Sequence, residues 1–233
     1  IINDCNQMSK ISKESLFFLK ELSQNNNREW FAKNKPTYKA HESKIKQFFK
    51  SVEEKLIVTD DIEKYKMMRI YRDIRFSKDK TPYKPRFAAS FKRTSERLRG
   101  SYFINIEPGN CLVGGGFYGP NPIDLLRIRK EFELDASEIN DILKSKNLKK
   151  IFPNGIQGDG VKTSPKGFNK NHEAISLIRK KQFYFMRSFL DEEILSDSFE
   201  NEVVNTLVTL RPFFNYMSEV LTTNLNGESI FED

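Results

Sequence analysis

Residues 65–92 read YKMMRIYRDIRFSKDKTPYKPRFAASFK, and the fold class turns on how this stretch is divided. The first twelve residues, YKMMRIYRDIRF at 65–76, are β-like in composition and in alternation. KPRFAASFK at 84–92 is a second strand-like run, and the connection between them reverses the chain in a few residues. So short a link favours antiparallel neighbours, because a parallel pair needs a crossover of a dozen residues or more. SYFINIE at 101–107 and CLVGGGFY at 111–118 continue the series, joined by EPGN at 107–110 with Pro-Gly in the central turn positions. QFYFMRSF at 182–189 reads as a further strand.

Helices flank this β region on both sides. Ser12 caps a first helix, with Ile11 and Leu16 placed as a hydrophobic staple and Leu16, Leu19 and Leu22 as its apolar stripe. Asn26 is read as the cap of a second start, with Glu29 at the capping-box position and Pro36 in a first helical turn. Ile45, Phe48, Phe49, Val52 and Leu56 then recur at helical spacing, which predicts an amphipathic helix over 37–57. Further helices are expected at 122–133, where Asn121-Pro122 supplies a cap and a first-turn proline, at 136–147, and at 172–180. Residues 153–171 read as a long surface loop. A last helix carries Val203, Leu207, Leu210, Phe214, Met217 and Leu221, and Pro212 should kink or split it. The expected class is α+β, an antiparallel sheet packed by N-terminal and C-terminal helices, in a single domain over 1–233.

Charge singles out the same central stretch. The 233-residue chain has a net charge of +7. Residues 64–99 hold thirteen Lys/Arg against Asp73, Asp79 and Glu96, which is +10, so the remainder sums to −3. Such local charge favours an anionic partner without choosing among them. In a strand, Met68, Ile70, Ile74 and Phe76 would share one face with Arg72 among them, and Arg69, Tyr71, Asp73 and Arg75 the other. A cation on an apolar face must find a carboxylate or several carbonyls. Lys78, Lys80 and Lys84 fall near the strand end. Arginine suits two-pronged recognition of phosphate or carboxylate, lysine adds a point charge, and Asp73 and Asp79 can orient the cations. The bland alternative is a solvated basic hairpin with structural salt bridges.

Residues 69–83 also fit the spaced pattern R-x-x-R-D-x-R-F-x-x-D/N-K-x-x-Y through Arg69, Arg72, Asp73, Arg75, Phe76, Asp79, Lys80 and Tyr83. Together with NNREWF at 26–31, IEPGNCLVGGGFYGP at 106–120, IRKE at 128–131 and PKGFNKNH at 165–172, this resembles an uncharacterised bacterial family, domain-of-unknown-function family 2461, over nearly the whole chain. The resemblance implies a fold and a place for a site, and carries no activity. It adds Arg129, within IRKE, to the anion-binding candidates Arg69, Arg72, Arg75 and Lys80. Asp79, Tyr83 and the backbone of Gly114, Gly115 and Gly116 are candidates for forming the site. Asp73 and Glu107 are the candidates for moving protons, although pairing with the arginines is the simpler role for Glu107.

Other signatures fall away. GGGFYG at 114–119 matches G-x-G-x-x-G in form but lacks a parallel βαβ unit and an acidic residue closing a second strand. A closely packed or bulged strand is the alternative there. A metal-dependent nuclease built from Asp73, Asp79, Glu107 and Lys80 has no defensible spacing, and the arginine excess would repel a metal, so no metal site is expected. No cofactor is indicated. His41 and His172 are more simply structural. Cys5 and Cys111 make neither a metal spacing nor a disulfide framework, which points to a reducing, cytoplasmic setting. No apolar run reaches a bilayer span, no signal peptide is evident, and Met8 is a candidate start. Three readings remain: a protein that binds or acts on a phosphorylated or carboxylated small molecule, a nucleic-acid-binding protein, and a structural or protein-partner role.

Overall fold

The structure is a computed structural model that describes residues 10–231, so Cys5 and the candidate start Met8 lie outside the described residues. Ser12 caps helix α1 (Lys13–Gln24) by accepting from the Ser15 N–H at 3.3 Å, and Ile11 and Leu16 are both buried, as a staple requires. Helix α2 (Arg28–Ile57) starts one residue later than expected: Asn27, not Asn26, is its cap, accepting from the Trp30 N–H at 2.9 Å. It also runs straight through Pro36, which was expected near a fresh helix start. The carbonyl that Pro36 leaves without a helical donor belongs to Ala32, which is exposed, so water can take the bond.

The β region forms a five-stranded antiparallel sheet in the order β1-β2-β3-β4-β5, made of β1 (Lys66–Met67), β2 (Phe87–Lys92), β3 (Ser101–Ile106), β4 (Cys111–Phe117) and β5 (Phe183–Phe189). The chain is α+β, as the alternation of its segments predicts. The first strand is the main correction. The β-like run at 65–76 keeps only Lys66–Met67 in the sheet, paired with Ser90 and Ala89, plus an isolated bridge from Tyr71 to Tyr83. Prolines at 82 and 85 on the facing segment have no N–H to give, so a continuous ladder cannot form there. Burial still alternates from Arg69 to Asp73, with Ile70 buried and Arg72 half-buried, but it fails at Phe76, which is 94% exposed.

After the sheet's first four strands, Asn121 caps α3 (Pro122–Leu134) through bonds from the Ile123 and Asp124 N–H groups, both 2.9 Å. The helix expected over 136–147 divides at Ser145 into α4 (Ser137–Lys144) and α5 (Lys146–Ile151). That expected at 172–180 shrinks to α6 (Ile175–Ile178), because His172 takes the Ala174 N–H on its Nδ1 and holds the preceding residues in turns. A short α7 (Asp191–Ile194) follows β5, and the last helical segment splits ahead of Pro212 into α8 (Phe199–Val208) and α9 (Arg211–Thr222). No helix of the described residues is long and apolar enough to cross a membrane.

The chain packs as two compact units that interleave in sequence. Among the described residues one comprises those up to Phe91 with 103–113 and 188–205, and the other 92–102, 114–187 and those from Thr206. The first is built on rings: Phe31 stacks on Tyr83 at 4.1 Å, Tyr38 on Phe87 at 5.7 Å, and Phe48 on Phe199 at 5.6 Å, with Leu19, Phe49, Val52 and Phe91 buried among them. In the second, Phe214 meets Tyr102 at 4.8 Å and Phe117 at 5.9 Å, and Phe213 meets Phe185 at 5.1 Å. Aromatic pairs at these separations add to the stabilisation their buried area already provides.

Candidate anion site

The site grows out of a register slip. Near β1 the pairing is Met67 with Ala89, and the Met68 N–H still reaches the Ala88 carbonyl. At Tyr71 the partner is Tyr83, flanked by bonds from the Arg72 N–H to the Pro82 carbonyl at 2.9 Å and from the Lys84 N–H to the Ile70 carbonyl at 2.8 Å. Between these pairings one segment spends residues 69–70 and the other residues 84–87. The longer side therefore bulges, at Lys84-Pro85-Arg86. The Arg86 N–H closes on the Lys84 carbonyl at 2.7 Å, a γ-turn around Pro85 whose ring fixes φ near the required value.

Two cations, Lys84 and Arg86, thus flank this turn, opposite the segment that carries Arg69 and Arg72. Lys84 is half-buried, and among the described residues its ammonium has neither a hydrogen bond nor an ion pair. Burial, then the charges of Arg86, Arg72 and Arg69, pull its pKa below the ordinary lysine value. Arg72 pairs with Asp79, Nη1 to Oδ2 at 3.1 Å, but its Nε is shielded from solvent and has no acceptor among the described residues. Arg69 is exposed and unpaired among the described residues. Arg86 donates to Oδ1 of the buried Asn105 at 3.2 Å. Lys84 thus feels the charge of three guanidinium groups, and among the described residues Asp79 is the carboxylate that pairs with one of them.

The remaining residues of the motif brace the loop. Asp73 takes Nε and Nη2 of Arg75 at 3.0 and 2.7 Å, which holds its carboxyl below the usual range. Asp79 accepts from the N–H and hydroxyl of Thr81, and these bonds with Arg72 beyond them lower it too. Lys80 donates to the Ile74 carbonyl at 2.9 Å. Tyr83 is buried, stacked on Phe31, and its backbone is held by the side-chain amide of Asn26. Arg75 lies over the exposed ring of Phe76, 6.0 Å from its centre.

Among the described residues Glu107 makes no ion pair with an arginine. It accepts from the side-chain amides of Asn105 at 3.2 Å and Asn110 at 2.9 Å, so Arg86 reaches it only through Asn105. It also lines a cleft of about 300 Å³ with Lys20, Pro85 and Asp191. Pro85 is the bulge's only contribution to that cleft; Lys84 and Arg86 do not line it. In the other unit Arg129 spends its guanidinium on carbonyls, Ile178 at 2.9 Å and Lys180 at 3.1 Å, at the end of α6. The three glycines are required by packing. A Cβ on Gly114 would lie 1.9 Å from the Phe185 carbonyl oxygen, on Gly115 2.7 Å from that of Ser101, and on Gly116 2.3 Å from that of Phe183. Among the described residues no group of three or more His, Cys, Asp or Glu side chains is placed to hold a metal ion.

Lys84 and Arg86 were not among the expected anion-binding residues. The available signal was the K-P-R triplet: a proline inside a strand-like run marks a bulge, and a bulge re-aims its neighbours. A search of curated proteins and a search of solved structures each find no match. A family model described as a conserved hypothetical protein, DUF2461, matches residues 14–216, which contain the whole cationic motif, the Asn26 clamp and all five strands, and the chain belongs to that family.

Proposed function

We propose that the chain binds, through Arg69, Arg72, Lys84 and Arg86, a small molecule bearing a phosphate or carboxylate group. The observation that carries this reading is the half-buried Lys84 ammonium, which feels three guanidinium groups and has neither a hydrogen bond nor an ion pair among the described residues. Like charges held near one another are costly, and a multiply charged anion would reverse the sign of that interaction. Arg75 and Lys80 would contribute charge at longer range while holding the loop in shape. Buried Cys111, a free thiol pushed up to about 12 by burial, is inert, consistent with a cytoplasmic setting in which cysteines stay reduced.

The test is thermal unfolding at physiological salt with phosphate, sulfate, sugar phosphates, nucleotides and dicarboxylates. An anion at about a hundred times its Kd should stabilise the protein by roughly 2.7 kcal/mol. Stabilisation by one anion class, abolished in Arg69→Gln, is the expected result. Absence of any shift across the panel would sink the reading.

A second reading, nucleic-acid binding, is favoured by Phe76, 94% exposed beneath Arg75, with Tyr71 exposed on the same loop and Lys78 next to it. Aromatic faces beside cations suit stacking on bases. Short DNA and RNA in the same panel separate the two: a shift with oligonucleotides alone, fading steeply with salt, would put this reading first.

A further inference from the structure

We propose that the cleft between α1, the turn at 107–110 and the start of α7 binds a small primary amine, with Glu107 as the counter-charge of its ammonium group. Neither Lys84 nor Arg86 lines this cleft, and the inference stands whether or not an anion binds at the arginines.

The cleft lies within one of the two compact units and holds about 300 Å³, the lower end of the range of ligand pockets. Its charges are unequally spent. Lys20 and Asp191 neutralise each other, Nζ to Oδ2 at 3.1 Å, and the other oxygen of Asp191 takes the Gly109 N–H at 2.7 Å. An anionic ligand therefore finds no uncommitted cation on this wall. Glu107 has no cationic partner among the described residues. Both amide groups that reach it, from Asn105 at 3.2 Å and Asn110 at 2.9 Å, donate to Oε2, so Oε1 has no donor among the described residues. Asn105 is buried and is itself fixed by Arg86 at 3.2 Å and by the Asn110 carbonyl at 2.9 Å. The carboxylate is thus held in place by its neighbours before any ligand arrives, as a binding group must be.

The rest of the wall matches an ammonium group. Ser23 and Gln24, at the end of α1, also line the cleft, and among the described residues their side chains make no hydrogen bond. A primary ammonium carries three N–H donors. Glu107 Oε1, the Ser23 hydroxyl and the Gln24 side-chain carbonyl are three uncommitted acceptors for them. Pro85 and Pro108 supply an apolar wall for a short hydrocarbon body.

n-Butylamine is the probe, read by proton–nitrogen correlation NMR on the full chain at neutral pH and constant ionic strength. The reporters are the Gly109 N–H and the side-chain amides of Asn105, Asn110 and Gln24. n-Butanol, which lacks the charge, and tetramethylammonium, which lacks N–H donors, are the controls. The expected result is saturable shifts at these reporters with a Kd of about 1 mM, which a ligand this small can reach. Both controls, and the Glu107→Gln variant, should bind at least about tenfold more weakly, the loss expected for one charge-assisted hydrogen bond. Glu107→Gln keeps an oxygen for the two asparagine amides, and circular dichroism reports that it is folded. Ser23→Ala, at an exposed helix position, should also weaken binding, and it decides alone if Glu107→Gln does not fold. Shifts that do not saturate, shifts confined to residues outside the cleft, or equal binding by tetramethylammonium overturn the proposal. So does butylamine binding that neither variant weakens.

Discussion

The side-chain amide of Asn26 makes to Tyr83 both of the hydrogen bonds that the backbone of a neighbouring strand would make: Nδ2 donates to the Tyr83 carbonyl at 2.9 Å, and Oδ1 accepts from its N–H at 3.1 Å. Both groups need a partner there. Tyr71 and Tyr83 form the wide type of antiparallel pair, with bonds made by their neighbours, so the N–H and carbonyl of Tyr83 face away from Tyr71. Asn26→Ala would strand a donor and an acceptor on a buried residue. The expected cost is about 2–4 kcal/mol, since an unsatisfied buried polar group costs roughly 1–3 kcal/mol. Urea unfolding of the variant measures it. A loss under about 0.5 kcal/mol would mean that water replaces the amide without penalty.

The same pair shows what was legible in the sequence. NNREWF and the spaced arginine motif were both recognisable as family-like stretches, but nothing local says that one clamps the other. Asn26 and Asn27 are equally good caps by composition, and the choice of Asn27 frees Asn26 for a residue far along the chain. The turns, the strands from Phe87 onward and the Pro212 break followed from local chemistry and could be read off. The strand at 65–76 could not, because its termination depends on prolines in the segment opposite. Nor could the division of labour among the cations, in which Arg75 and Lys80 serve the loop while Lys84 and Arg86 join Arg69 and Arg72.

Gly114 admits no side chain. A Cβ there would sit 1.9 Å from the Phe185 carbonyl oxygen, on a backbone fixed by the sheet, so neither atom can yield cheaply. Gly114→Ala should cost roughly 3 kcal/mol or more, at or beyond the upper end of ordinary overpacking. Gly119 is the control, with nothing within 4 Å of the added Cβ, and Gly119→Ala should be neutral to about 0.5 kcal/mol. Chemical denaturation of both variants makes the comparison. Equal stability of the two would contradict the close approach between these strands.

Asp191 ties the turn at 107–110 to α1. Its Oδ1 accepts from the Gly109 N–H at 2.7 Å and its Oδ2 pairs with Lys20 at 3.1 Å. The Gly109 bond, and then Lys20, hold its carboxyl below the ordinary value of 3.8. A carboxyl depressed in the folded state contributes stability in full above its unfolded pKa and loses it as pH falls through the folded one. Asp191→Asn should therefore be less stable than the parent at pH 7, and the gap should close progressively below about pH 4. Unfolding free energies at a series of pH values test this. A gap that stays constant down to pH 2 would show that Asp191 acts through packing and not through charge.

Arg72 separates a structural role for the motif from a binding one. It pairs with Asp79, and among the described residues its shielded Nε has no acceptor, so the guanidinium is incompletely satisfied there. Asp79 does not depend on it, since Thr81 supplies two further bonds. Replacing a poorly satisfied cation by an apolar side chain of similar length is often neutral or stabilising. Arg72→Met should accordingly melt within about 3 °C of the parent, a shift of order 1 kcal/mol for a chain of this size. Its response to anions should differ sharply, because the ligand that stabilises the parent loses a two-pronged partner. Differential scanning calorimetry with and without phosphate reads both effects at once. A variant that melts far below the parent in the absence of anions would show that Arg72 is held for the fold. A variant that melts with the parent and still gains as much from phosphate would remove Arg72 from the site and leave Arg69, Lys84 and Arg86 to hold the anion.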